Sequence, residues 1–347
     1  MRKIRNSLFV SFYAFILPAS FMEAANVPRE ANRLLAEARQ DLDFGRIERA
    51  VQKSRNGLAL LDPEDVDHRG PWAHGYTTLA YSLAWIGAGT AKGRKRNDYY
   101  TSAFQAIEKG ALRDESGESP LKKQWPDLYA RLMETRGVIY DSLSVDPQME
   151  SADATKYWEM ALEDWNEALQ TARNPLASAR VHIAMSFGFH DRATQTSQSA
   201  LYLQGIRHAE EALRLSDGVP AGQVIYARAL WAHCESFGSD AAPRIHSTED
   251  PIFRQLKREM ETASAIIQAE LPDSAISHNV TQYSVQFDNA ERKERINQVM
   301  DIMGILLSWS GNSGNSSDAE KVWMYQTDRN RQAISAGERI PYPQAGH

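Results

Sequence analysis

Histidine supplies the most reactive constellation in the chain. His182 and His190 stand eight residues apart on one predicted helix, about 80° apart around its axis at roughly 100° per residue. His208 and His233 fall on later helices, and Cys234 and Glu235 follow His233 directly. Imidazole, thiolate and carboxylate are the ligands of a zinc-like site, which needs three or four of them to converge with supporting hydrogen bonds. Nothing in the spacing forces that convergence, so these histidines are read as helix-face residues, and no metal or cofactor is expected. A second polar group, Asp65, Asp67, His68 and His74, surrounds a turn and is read as capping and loop solvation. Acid pairs such as Glu163-Asp164 and Glu210-Glu211 lie on the polar faces of amphipathic helices. The sequence contains no phosphate-binding glycine loop, nucleophile elbow, paired CxxC or HExxH. No catalytic residue is assigned.

The elements that must carry these side chains are helices. In Lys156 to Pro175, the residues Trp158, Ala161, Leu162, Trp165, Ala168 and Leu169 recur at helical spacing, with Glu159, Glu163, Asp164 and Glu167 opposite. Pro175 stops the run, because proline removes a backbone donor and restricts the residue before it. Similar patterns predict helices over Pro28–Leu42, Trp72–Gly87, Tyr99–Leu112, Leu128–Leu143, Leu176–Phe189, Ser197–Leu215, Val224–Phe237 and Ile252–Glu270. Another carries Ile47, Ala50, Val51 and Leu58. Short turns such as Asp43-Phe-Gly45 require consecutive helices to pack antiparallel. Trp158 and Trp165 are core by periodicity. Trp72, Trp85, Trp125, Trp231 and Tyr81 are assigned to the core in preference to a binding groove.

Several of these residues resemble a tetratricopeptide repeat: Gly45, Ala50 and Gly57-Leu58 in the first pair, Gly137 and Tyr140 followed by Ala161, Trp165 and Ala168 in the third, and Gly205, Ala209 and Ala212 in the fourth. The equivalent leucines, Leu58, Leu112, Leu169 and Leu213, are spaced 54, 57 and 44 residues apart, against a family period of about 34. The resemblance therefore covers helix pairs of irregular length. It implies an all-α solenoid of antiparallel helix pairs over residues 26–272, with residues 273–309, and their helix from Asn289 to Trp309, capping its end. By the same resemblance, first helices line a concave groove. In the third unit that phasing selects Arg131, Glu134, Val138 and Asp141, and in the second His74, Thr77, Tyr81 and Ala84.

Residues 1–25 have the form of a secretory signal, with basic Arg2, Lys3 and Arg5 ahead of the apolar stretch Ser7 to Met22. That stretch is shorter than the roughly 20 residues needed to span a bilayer. No integral membrane span is expected in the mature chain, which is placed in the periplasm or the secreted space. Cys234 is the only cysteine, so no intramolecular disulfide can form. The formal net charge of −6 would become −8 on loss of the leader, and excludes a nucleic-acid binder that works through bulk charge. Residues 310–347 are expected to form a flexible linker and tail, with one short helix at Asp318–Ser335. The function expected from these features is an exported, non-catalytic scaffold that binds a protein or peptide partner of the envelope in its groove. A small-molecule binder associated with transport, its ligand enclosed by a curled array, and a metal-assisted helical enzyme are the alternatives.

Overall fold

The structure, a computed structural model, describes residues 28–90, 94–113, 117–146 and 149–311. The expected leader, the tail from residue 312 onward and its short helix lie outside these residues. The described chain is all-α, without a strand among the described residues. It divides into two compact units. One comprises the described residues through Pro243 together with Arg258–Thr281, and the other Arg244–Lys257 together with the described residues from Gln282.

The first unit begins with α1 (Arg29–Asp43) and α2 (Ile47–Leu58), followed by α3 (Arg69–Gly89), α4 (Arg94–Ala111) and the single turn α5 (Leu121–Gln124). Next come α6 (Pro126–Ser144), α7 (Ser151–Thr171), α8 (Pro175–Thr196), α9 (Ala200–Ser216) and α10 (Gln223–Ala241). The boundaries follow local chemistry. Gly45 turns the chain between α1 and α2 at φ 71°, a conformation that costs glycine little. Proline opens α6 and α8, where its missing N–H would have had no partner in the helix.

The packing order alternates. Helices α1 and α2, α3 and α4, α6 and α7, and α8 and α9 lie against each other, and α2, α4, α7 and α9 each also touch the following helix, α3, α6, α8 and α10. Helices α3, α6, α8 and α10 contact one another in succession. Trp165 on α7 is fully buried at the centre of the stack. A Cβ on Gly137 of α6 would stand 2.5 Å from its Nε1, and one on Gly188 of α8 would stand 2.5 Å from its six-membered ring. The indole is therefore wedged between α6 and α8, which have no side chain at the point of contact. Trp158 meets it edge-on at 6.0 Å between centroids.

Helices α11 (Pro251–Glu270) and α12 (Ala275–Gly311) each contribute to both units. α12 begins fourteen residues before the expected Asn289. The change of direction ahead of it is made at Asp273, whose φ is 61°. Within the second unit, Lys257 Nζ lies 2.8 Å from Asp288 and 2.9 Å from Glu291, and Phe253 packs on Phe287. Among the described residues no helix is long and apolar enough to cross a membrane.

Candidate functional site

A cavity of about 440 Å³ opens where α3, α6, α8 and α10 begin. Local bonding shapes three of these ends, those of α3, α6 and α8. Asp127, in the first turn of α6, accepts the backbone N–H groups of Arg173 at 2.6 Å and Asn174 at 2.9 Å, which ties the α7–α8 connection to the start of α6. The Asn174 side chain then caps α8 by accepting from the Leu176 N–H at 2.9 Å. Ahead of α3, Asp65 accepts from the Asp67 N–H and His68 Nδ1 accepts from the Asp62 N–H, both at 2.9 Å. Arg69 Nη1 reaches Gln124 of α5 at 3.4 Å. The positive ends of four helix dipoles therefore border one space.

Each of these helices carries a basic residue at its sixth position: His74 on α3, Arg131 on α6, Arg180 on α8 and Arg228 on α10. His74, Arg131 and Arg180 line the cavity, and Arg228 is buried behind them, 1% exposed. Arg131 is 2% exposed and donates from Nη1 to Glu134 Oε2 at 3.1 Å. Its guanidinium also stands 6.0 Å from the Tyr81 ring. Arg180 is 7% exposed, and its buried Nε has no hydrogen-bond partner. Pro71, Trp125, Leu128, Leu176, Ala177 and Ile225 supply most of the apolar wall, with Asp67 and Asp127 also on the lining.

The electrostatics record the crowding of cations. Burial first, and then the charges of Arg39, Arg131 and Arg180, push the His74 pKa down to about 3, so the imidazole is neutral at ordinary pH. Burial, reinforced by Arg131 and Arg228 and opposed by Glu134, brings Arg180 down to about 10. Burial and the Glu134 carboxylate raise the Tyr81 hydroxyl. The arrangement can attract and orient an anion, and it presents no paired nucleophile and base.

The expected groove residues separate into two places. His74 and Arg131 stand on the cavity wall. Thr77 and Glu134 are buried on the same helices, with Thr77 donating to the Ala73 carbonyl at 2.8 Å, and Tyr81 is buried beside Arg131. Asp141 lies elsewhere on α6, near Asp191, where burial and that neighbouring charge hold its pKa well above the usual carboxylate range. Arg180 and Arg228 were not selected from the sequence. Their shared helical register is the signal that could have found them.

The histidines fall into three neighbourhoods. His182 and His208 meet with their Nδ1 atoms 2.9 Å apart, and His208, half-buried and facing His182, is pushed down to about 4 by desolvation and that neighbour. His190 Nε2 lies 3.0 Å from Ser239 Oγ and its Nδ1 3.2 Å from Asp191. His233 Nδ1 lies 2.7 Å from Glu259. Among the described residues no group of three or more histidine, cysteine, aspartate or glutamate side chains is placed to hold a metal ion.

A second depression, between α2, α3 and α4, is lined by Arg55, Trp72, Tyr76, Leu83, Gln105 and Lys109. Trp72 donates its indole N–H to the Lys109 carbonyl there at 2.9 Å. Trp231 is buried edge-on against Phe187. Of the five aromatic residues assigned to the core, Trp125 is on the wall of the main cavity.

The chain matches no protein-family model, no curated protein and no solved structure.

Proposed function

We propose that this chain is an exported, tetratricopeptide-like solenoid of antiparallel helix pairs, without catalysis of its own, that holds a small molecule where its first helices begin. The alternating packing supports the repeat reading: each second helix lies against its own first helix and against the next one, as stacked pairs do. Under this reading α12 caps the array, and the leader takes the chain out of the cytoplasm.

The observation that carries the ligand assignment is the cavity of about 440 Å³, walled by apolar side chains with a few convergent polar groups. That is the size and make-up of a small-molecule site. An extended peptide lying along the first helices would need Thr77, Tyr81 and Glu134 at a surface, and all three are buried. Native mass spectrometry of the protein from its own host, followed by denaturing analysis, tests the assignment. A small-molecule adduct is expected, lost when Ala177→Trp fills the cavity. A chain that carries no small molecule, and captures an extended peptide equally well with and without Ala177→Trp, would sink it.

A further inference from the structure

We propose that the cavity selects a small monocarboxylate with an apolar body, its charged end held by Arg180 and Arg131 and its body set against Trp125, Leu176 and Ile225. This assignment rests on the cavity being a small-molecule site.

The first support is the ladder of basic residues at one register of four successive helices. Three of them, His74, Arg131 and Arg180, share the cavity wall, and Arg228 is buried. The second is Arg180 itself. A guanidinium that is 93% removed from solvent, lines a cavity and leaves Nε without a hydrogen-bond partner is a costly arrangement for an empty protein. A carboxylate in the cavity supplies the opposite charge, and its two oxygens match the fork of an arginine. The helix N-termini around the cavity favour the same sign of charge. The charge of the ligand follows from the lining. Asp67 and Asp127 share the wall with the two arginines, so a dianion such as phosphate is repelled by these acids more strongly than a single carboxylate is. The remaining wall is apolar, and a bare anion would leave it unfilled.

The decisive comparison is calorimetric titration of the full mature chain with 3-phenylpropionate, its primary amide and inorganic phosphate. The acid is expected to bind at least about tenfold more tightly than the amide, since a charged hydrogen bond at a desolvated arginine exceeds a neutral one. Phosphate is expected to bind more weakly than the acid. Arg180→Met should remove the preference for the acid while leaving amide binding in place, and Arg180→Lys should restore part of it. Equal binding of acid and amide by the unaltered chain would overturn the carboxylate assignment while leaving a small-molecule cavity standing. Tighter binding of phosphate would overturn it as well. Binding of an N-acetylated tetrapeptide through its free C-terminus more tightly than the free acid would instead overturn the small-molecule reading and retain the carboxylate. Absence of binding by all four probes would defeat both.

Discussion

Arg136 on α6 grips Asp164 on α7 with two parallel hydrogen bonds, Nε to Oδ2 at 2.8 Å and Nη2 to Oδ1 at 2.6 Å. Its third nitrogen, Nη1, reaches Glu108 of α4 at 2.8 Å. One guanidinium therefore joins three helices of the first unit. Burial acts to raise the Asp164 pKa and outweighs the lowering by Arg136, so the carboxylate depends on this partner. Arg136→Met is expected to cost about 3 kcal/mol in chemical denaturation, most of it from stranding Asp164. Arg136→Met combined with Asp164→Leu should recover much of that loss. A double variant no more stable than the single one would refute the account.

The wedge of Trp165 between two glycines makes a steric prediction. Gly137→Ala and Gly188→Ala each place a methyl 2.5 Å from the indole, too close for either helix to keep its position. Each should destabilise the fold by about 1–3 kcal/mol, although alanine favours helix. Trp165→Leu should make a second Gly137→Ala change nearly neutral, as thermal melts of the four chains would show.

Asp141 predicts a stabilising substitution. Its folded-state pKa is raised by burial and by Asp191, so the folded chain holds this proton more tightly than the unfolded one. Whatever stability it contributes is present below the unfolded value near 3.8 and is lost as pH rises through the raised value. Asp141→Asn should therefore raise the melting temperature at pH 7, with the gain shrinking toward pH 4. A gain that is constant across this range would contradict the assignment.

The depressed histidines act in the opposite direction. His74 at about 3 and His208 at about 4 lie below the unfolded value near 6.5, so the unfolded chain binds more protons as pH falls. Their share of stability is present above about pH 6.5 and is progressively lost toward pH 3 to 4. His190, raised by Asp191 and Glu235 against its burial, favours the fold at low pH and loses that effect as pH rises through its raised value. Melting temperatures from pH 7 to pH 4 should fall less steeply in His74→Gln than in the unaltered chain. Identical slopes would remove His74 from the account.

Much of the architecture was legible because helical period and small residues report it directly. Trp158, Ala161, Trp165 and Ala168 were placed on one face by spacing, and all four are buried. The start of α12 was less legible, since Asn279, Thr281 and Ser284 interrupt its apolar pattern. The phasing from Gly137 brought His74 and Arg131 to notice, and both line the cavity. Arg180 and Arg228 escaped because connections of unequal length separate the ladder residues in sequence. Their common register emerges only when each helix start is fixed by its own cap or proline. Tyr81 was assigned to the core and is buried, but burial of Thr77 and Glu134 was hidden for a related reason: period identifies the face of a helix but not how closely neighbouring helices approach.

The indole of Trp165 also has a metrical consequence. It separates α6 from α8, the helices that carry Arg131 and Arg180, and both backbones rest on it through glycine. The in-plane span of one indole thus acts as a spacer between the helices that carry the two guanidinium groups. Under the proposed carboxylate assignment, a change at Trp165 would alter the gauge of the Arg131–Arg180 pair, so a residue outside the cavity lining would bear on which acid is held.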